Sequence, residues 1–254
     1  MKFLRDTWLV FQRQVMLVIR QPVWVFIGLF QPIMFLLLFA PLLKPALSAG
    51  GTIRDAEVYR TFVPGLLVML AIFGGLFQGF GLLAELRAGV IERSRVTPVS
   101  RLALLLGRSL KDVVNLIVQA AVLTLLSLPF GLRVHMVDLL LAFLMLGLIA
   151  LMTSALSYGV ALLLKSEDAL APVMNTLSQP LLLLSGILLP LSLGPGWLQT
   201  IAQWNPFSWA VDAARALFAG HPGDPDVWKA LVIIGALAVA AATWSAREFA
   251  RSIR

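Results

Sequence analysis

Residues 85–101 read ELRAGVIERSRVTPVSR, and this is the most charged segment of the chain. Apolar runs long enough to cross a bilayer lie on both sides of it. Leu86 and Val90 fall on one helical face, and Pro98 ends the helix because proline disfavours helical backbone at the residue before it. The segment therefore predicts a short amphipathic helix, about residues 86–97, between two membrane spans. The alternative is a solvated loop whose arginines only set the topology.

The composition around this segment is that of a membrane protein. The 254 residues are 59% hydrophobic and 13% charged, with a mean hydropathy of +0.91, whereas about a quarter of a soluble domain is charged. The net charge of +7 raises the possibility of a nucleic-acid partner. The basic residues, however, form short clusters between apolar runs without interleaved aromatic residues, so the expected partner is membrane lipid and not nucleic acid.

Hydrophobic length predicts an all-α integral membrane protein with six spans, since about 20 apolar residues cross a bilayer. We place the spans at about residues 23–43, 62–84, 106–130, 138–164, 171–190 and 227–246. An amphipathic interfacial helix, 1–22, precedes them, with its apolar residues on one side and Lys2, Arg5, Asp6, Arg13 and Arg20 on the other. The segment 191–219 is too polar for a full crossing, so we expect short re-entrant helices there.

The basic residues also predict the orientation of the chain. With a cytoplasmic N-terminus, 14 of the 20 Lys and Arg residues lie on the cytoplasmic side, so both termini are expected inside. A cleaved signal peptide is the alternative for the N-terminal region, because residues 46–48 read Ala-Leu-Ser. The apolar run 23–43 is too long for a signal peptide, and we favour a membrane span.

Two ordered motifs resemble those of ABC-2-type transporter permeases, in particular the drug-resistance exporter branch. The first is the family's cytoplasmic coupling segment, matched by Glu85-Leu86-Arg87, Gly89, Ile91-Glu92-Arg93 and Val96-Thr97-Pro98-Val99-Ser100-Arg101. The second is the family's stretch between the last two spans, matched by Ser185-Gly186-Ile187, Leu189-Pro190, Trp197-Leu198, Asn205-Pro206-Phe207 and Val211-Asp212-Ala213-Ala214-Arg215. The chain departs from the family at Ala88 and Ser94-Arg95, where acidic and leucine residues are commoner, and this would alter which ATPase it accepts.

The resemblance implies a single transmembrane domain over residues 1–254, serving as the permease subunit of an ATP-driven exporter in a bacterial cytoplasmic (inner) membrane. A separate ABC ATPase subunit would bind ATP and Mg, this chain would hold no cofactor, and a second copy or a paralogue would complete the pathway. The residues implied in ATPase coupling are Glu85, Arg87, Glu92, Arg93, Arg95, Thr97 and Pro98. Those implied in the re-entrant motif are Gly186, Pro190, Asn205, Pro206, Asp212 and Arg215.

Catalytic motifs are not apparent in the sequence. It contains no G-x-x-x-x-G-K-[ST] phosphate loop, no cysteine, and only two histidines, His135 and His221, in predicted loops. An intramembrane protease would need a histidine near a serine such as Ser185, or two aspartates at membrane depth. We therefore expect neither an enzyme nor a metal site.

Polar residues inside the spans are the candidates for a substrate path. The fifth predicted span carries Asn175, Ser178 and Gln179 on one helical face, and the second carries Gln78. Such groups are costly in lipid unless they face protein or water, so they line either a hydrated path or an interhelical contact. For Asn115 and Gln119 in the third span we favour interhelical contacts, and the glycines near Gln78 are expected to be close-packing points between helices.

The mostly aliphatic spans favour a hydrophobic or amphipathic substrate, drug-like or lipid-like. Exporters of polysaccharide or lipid-linked glycan use the same scaffold and are the first alternative, but they are expected to present aromatic faces to sugar, and this chain has only two tyrosines. A non-transporting membrane scaffold or protease is the alternative of another class.

Overall fold

The computed structural model describes residues 2–39, 41–42, 55–89, 101–188, 191 and 194–252, and no β-strand occurs within those ranges. The helices are α1 (Lys2–Arg20), α2 (Val23–Met34, followed by a π-helical turn, Phe35–Phe39), α3 (Asp55–Leu76), α4 (Gln78–Arg87), α5 (Arg101–Ser127), α6 (Met136–Leu164), α7 (Glu167–Leu184), α8 (Gly196–Ala202), α9 (Pro206–Phe218) and α10 (Pro225–Ser252). The expected all-α membrane architecture is therefore confirmed for this part of the chain.

Within the described residues, four stretches are long and apolar enough to cross a membrane: Glu57–Arg87, Leu102–Phe130, Met136–Leu164 and Pro225–Arg251. They coincide with the predicted second, third, fourth and sixth spans. Helices α1 and α2 bend by 67° relative to each other and would count as a fifth span if taken as one broken helix. The predicted spans 23–43 and 171–190 overlap α2 and α7, and the count of six stays a prediction.

Helix α6 is the centre of the bundle and packs against α3, α4, α5, α9 and α10. Small residues permit the closest of these contacts, since a side chain would otherwise separate the backbones. A Cβ on Gly159 of α6 would collide with the Trp244 ring of α10, and a Cβ on Gly75 of α3 would collide with Thr153 of α6. The core is thus held by backbone proximity as well as by apolar side chains.

The apolar run predicted as one span, 62–84, breaks at Phe77, where α3 ends and α4 begins. Ser157 of α6 closes the break, because its hydroxyl donates to the Leu76 carbonyl and accepts from the Gly79 amide at 2.9 Å. A Cβ on Gly79 would lie 2.7 Å from the Ser157 carbonyl oxygen. The expected close-packing role of glycines in this span is confirmed for Gly75 and Gly79. For Gly81, by contrast, no atom of the described residues lies within 4 Å of where a Cβ would stand.

Helix α1 forms as predicted, but one residue lies on the wrong face of our prediction. Asp6, which we grouped with the exposed basic residues, is buried together with Thr7 and Gln14, and α1 packs against α5. A Cβ on Gly107 of α5 would lie 2.8 Å from Val10, so the two helices approach closely. Three polar side chains of α1, those of Asp6, Thr7 and Gln14, therefore face protein.

Two further boundaries differ from prediction. Residues 86 and 87, expected to begin the amphipathic helix 86–97, are the last residues of α4, and a turn at Ala88–Gly89 follows with Gly89 at φ 67°. Left-handed backbone of this kind favours glycine and commonly ends a helix. Helix α5, which contains the predicted third span, begins at Arg101 and not near 106.

Candidate coupling site

The coupling cluster is a group of charged and polar side chains where α1, α4, α5 and α6 meet. Glu85, the first residue of the charged segment 85–101, forms an ion pair with Arg108 of α5. It also accepts a hydrogen bond from the Gln14 side-chain amide of α1 at 3.0 Å. The Arg108 side chain is only 8% exposed and that of Glu85 22%. Because a buried guanidinium needs a nearby anion, this pair fixes the end of α4 against α5.

A second group extends the cluster into the bundle. Lys111 forms an ion pair with Asp112, its neighbour on α5, and donates to the Gln78 side chain of α4 at 3.3 Å. Asp112 also accepts a hydrogen bond at 2.5 Å from the Tyr158 hydroxyl of α6. Both Asp112 and Tyr158 are buried. Arg108, Lys111 and Asp112, three charges of α5, thus all pair within the protein.

The segment's next charged residue reaches α7. Arg87 forms an ion pair with Glu167 at 3.3 Å, and both side chains are partly exposed. The contact depends on a tight connection, since only Lys165 and Ser166 separate α6 from α7 and Lys165 adopts a left-handed φ of 52°. Such backbone is uncommon outside glycine, asparagine and aspartate. Glu85 and Arg87 together therefore connect the end of α4 to α1, α5 and α7.

A different polar centre lies around Arg215, in the predicted re-entrant motif. Its guanidinium donates to the Thr61 carbonyl of α3 at 3.1 Å and to the Gly186 carbonyl after α7 at 2.7 Å, and it lies 3.5 Å from Asp212. Burial lowers the pKa of Arg215, and the Asp212 carboxylate opposes that effect; arginine stays charged in proteins. Arg215 therefore ties α9 to both α3 and the exit of α7.

The other re-entrant residues build the start of α9. Asn205 caps the helix: its side-chain oxygen accepts a hydrogen bond from the Phe207 amide at 3.0 Å. Pro206 occupies the first turn, where the backbone N–H that proline lacks would have no partner within the helix. Two short helices, α8 and α9, lie in the segment 191–219, and their re-entrant course stays a prediction. Of the named motif, Pro190 lies outside the described residues, as do the coupling residues Glu92, Arg93, Arg95, Thr97 and Pro98.

The structure distributes the candidate path residues over two environments. Gln78 belongs to the cluster with Lys111, and Ser178 is buried, its hydroxyl donating to the Asn175 carbonyl at 3.0 Å. Asn175 and Gln179 are exposed on α7. In the third span, Gln119 donates to the Val25 carbonyl of α2 at 3.4 Å, which confirms the expected interhelical contact.

The cluster contains residues that the sequence did not single out as a site, namely Gln14, Arg108, Lys111, Asp112, Tyr158 and Glu167. One signal was visible: three charges at spacings of three and one residues interrupt an apolar run at 108–112. Their partners on other helices could not be read from spacing. Among the described residues, no group of three or more His, Asp or Glu side chains could hold a metal ion.

Comparison of the sequence with known proteins shows the family. A sequence model described as ABC-2 type transporter matches residues 5–219. The chain belongs to the ABC-2 type transporter family. Members of this family are membrane components of transporters and normally work with an ABC ATPase subunit.

Curated ABC-2 relatives include transport and drug-resistance permeases. The chain is 27% identical over 219 residues to a putative transport permease, ycf38, of Cyanophora paradoxa, covering 85% of this chain and 75% of the relative. It is 28% identical over 210 residues to the daunorubicin resistance ABC transporter permease protein DrrB1 of Streptomyces coeruleorubidus, covering 81% and 72%. A probable doxorubicin resistance permease, DrrC, of Mycobacterium tuberculosis is 26% identical over 171 residues, covering 66% and 61%.

Proposed function

We propose that this chain is the membrane-spanning permease subunit of an ATP-driven exporter, which moves a hydrophobic or amphipathic substrate out of the cytoplasm. ATP and Mg bind a separate ABC ATPase subunit, and a second permease copy or a paralogue completes the pathway. The drug-resistance names of two relatives support a drug-like or lipid-like substrate. The residues matching the family model, 5–219, support a single transmembrane domain.

The observation that carries the proposal is the attachment of Glu85 and Arg87 to other helices. A force applied to the segment after α4 passes into α5 and α1 through Glu85, and into α7 through Arg87. The two ion pairs and the hydrogen bond from Gln14 to Glu85 resist separation of these helices. We propose that Glu92, Arg93, Arg95, Thr97 and Pro98 continue this segment as a helix that inserts into the ATPase subunit. ATP binding and hydrolysis would then move α7 relative to the bundle.

The proposed topology has six spans, both termini in the cytoplasm, and a bacterial cytoplasmic membrane as its location. The basic-residue asymmetry supports it, and so does the position of the four apolar spans. In this topology the coupling cluster lies at the cytoplasmic side. The Arg215 centre lies at the outer side, where α8 and α9 enter the outer leaflet and return.

We propose that the exposed amides of Asn175 and Gln179 on α7 face the substrate path. They lie four residues apart, and so on one helical face, and Pro180 follows directly, which leaves a backbone carbonyl one turn earlier without its usual donor. Gln78 and Ser178 adjoin this path from the bundle side. Amides with this exposure need water or a partner chain, and a hydrated route supplies water where lipid cannot.

The experiment is ATP-driven transport in proteoliposomes containing the permease and its cognate ABC ATPase subunit. Arg87→Gln and Glu167→Gln each break the α4–α7 ion pair, and the double exchange Arg87→Glu with Glu167→Arg restores opposite charges. Exposed pairs contribute only about 0–1 kcal/mol to stability, so folding is retained. We expect each single variant to slow the transport of amphipathic dyes and the exchange to recover it.

The matched control is Arg251→Gln, which breaks an ion pair of similar length, 3.0 Å, with Glu248 on α10. Its transport should equal that of the parent. The proposal is overturned if the parent complex hydrolyses ATP without moving any amphipathic dye. Movement of glycan alone would instead support the polysaccharide exporter alternative.

A further inference from the structure

The outward face of α1 combines positive charge with exposed apolar side chains. Its four basic residues fall on one face of the helix, because at 3.6 residues per turn they lie within an arc of about 80°. All four are exposed: Lys2, Arg5, Arg13 and Arg20. The helix has a single acidic residue, Asp6, and it is buried toward α5. The exposed surface of α1 therefore carries positive charge only.

Apolar residues lie between and beside these charges. Leu9 is 55% exposed and Met16 is 52% exposed on the basic face. An adjoining strip carries Leu4, Trp8 and Ile19, which are 73%, 56% and 65% exposed. Water would penalise so many exposed apolar side chains on one helix, whereas the interface of a bilayer accepts both kinds of residue.

The neighbouring helix indicates what covers this face. Phe26, Ile27 and Phe30 of α2 are all exposed, and they continue the apolar surface toward the predicted membrane interior. Since α1 is bent by 67° from α2, it lies nearer to the membrane plane than to its normal when α2 crosses the bilayer. The basic face of α1 is then at headgroup depth.

We propose that the basic face of α1, formed by Lys2, Arg5, Arg13 and Arg20, binds the headgroups of anionic phospholipids. Phosphate oxygens neutralise the guanidinium and ammonium groups, while acyl chains cover the apolar strip. An acidic surface of a partner protein would satisfy the charges but would leave the exposed leucine and tryptophan side chains without hydrocarbon. The proposal holds for any transported substrate.

The inward face of α1 gives this binding a consequence. Gln14 donates to Glu85, so a headgroup that fixes α1 also fixes one partner of the coupling cluster. We expect an anionic bilayer to hold α1 in the position that keeps this hydrogen bond at 3.0 Å.

The test uses the absence of cysteine from the chain. Full-length Gln12→Cys carries an environment-insensitive fluorophore beside the basic face, and Val239→Cys, on the exposed apolar face of α10, carries it as a control. Each is reconstituted in nanodiscs of phosphatidylcholine with one fifth phosphatidylglycerol, in which either lipid bears the brominated acyl chains. The measurement is the ratio of quenching by the anionic lipid to quenching by the neutral lipid at equal mole fraction.

We expect this ratio to exceed one at residue 12 and to equal one at residue 239. Arg5→Gln with Arg20→Gln should lower it by up to about fivefold for each charge removed; Arg13 is retained because it lies close enough to Arg108 to affect that residue electrostatically. Arg133→Gln with Arg247→Gln, which removes two exposed charges elsewhere, should leave the ratio unchanged.

Three results overturn the proposal. The first is a ratio of one at residue 12 in the parent chain. The second is an equal fall in the two double variants, which would show a response to net charge only. The third is an unchanged ratio in Arg5→Gln with Arg20→Gln together with weaker binding of the ATPase subunit, which would assign the basic face to that protein.

Discussion

Removing Glu85 is the perturbation that tests the coupling cluster most directly. Glu85→Leu leaves the Arg108 guanidinium without its anion in a position where the side chain is only 8% exposed. It also removes the acceptor for Gln14. Breaking a buried ion pair by removing one partner costs about 3–5 kcal/mol. Because Glu85 is itself 22% exposed, we expect the lower end, about 3 kcal/mol.

The reverse substitution should cost less. Arg108→Leu leaves a carboxylate that is already partly exposed and can regain water, so we expect a loss of about 1–2 kcal/mol, within the range for an unsatisfied polar group. The double variant Glu85→Leu with Arg108→Leu removes both charges and should approach the parent, as apolar replacements of buried pairs often do. The two single effects are therefore strongly non-additive.

The assay is reversible unfolding in mixed detergent micelles, which gives the free energy of unfolding for each member of the double-mutant cycle. The cycle for Arg251 and Glu248, an ion pair with an arginine side chain 75% exposed, provides the control and should show a coupling of less than about 1 kcal/mol. Additive effects of the Glu85 and Arg108 substitutions would refute the reasoning. So would a larger loss for Arg108→Leu than for Glu85→Leu.

Three other features of the chain are each tested by their own substitutions. Gly75→Val should destabilise the chain because its side chain would collide with α6. Gly81→Val, at an exposed glycine whose Cβ would have no described atom within 4 Å, should cost no more than a few tenths of a kcal/mol, as surface substitutions usually do. The measurement is the free energy of unfolding of each variant. Arg215→Lys keeps the charge but lacks the forked guanidinium that donates to the Thr61 and Gly186 carbonyls together. We therefore expect faster protease cleavage after α7. Cleavage at the parent rate would show that Arg215 does not hold the end of α7. Ser94→Cys and Gly223→Cys should react with an impermeant maleimide from opposite sides of the membrane, and same-side labelling would exclude the proposed topology.

Much of the fold could be predicted from the sequence because lipid imposes a simple length rule. The four apolar spans follow from runs of about 20 apolar residues, and a charge inside such a run can be expected to pair. Arg108, Lys111 and Asp112 do so. The identity of their partners could not be predicted. Glu85 and Tyr158 contact α5 only because α4 and α6 meet it, and the spacing of residues along the chain does not show which helices meet.

The error at Asp6 has a physical cause. Amphipathic reasoning assigns every polar residue of a helix to the watery side, but in a membrane protein the protein interior is often the more polar neighbour and lipid the apolar one. Asp6, Thr7 and Gln14 are accordingly buried in protein while Leu4 and Trp8 are exposed. The sign of the charge then decides which polar residues of α1 face the headgroups, because only basic side chains gain from contact with anionic lipid.

Helix α7 is connected to the bundle by polar contacts at both of its ends. Glu167 pairs with Arg87 at its start, and the carbonyl of Gly186, just after its end, accepts from Arg215. Pro172 and Pro180 each remove an internal hydrogen bond, so the helix between the two ties is easier to bend than its neighbours. A force arriving at Arg87 would therefore act on one end of α7 while Arg215 holds the other. The displacement would concentrate in the middle of the helix, where the exposed Asn175 and Gln179 lie, and this is where an exporter of the proposed kind would need its substrate path to change shape.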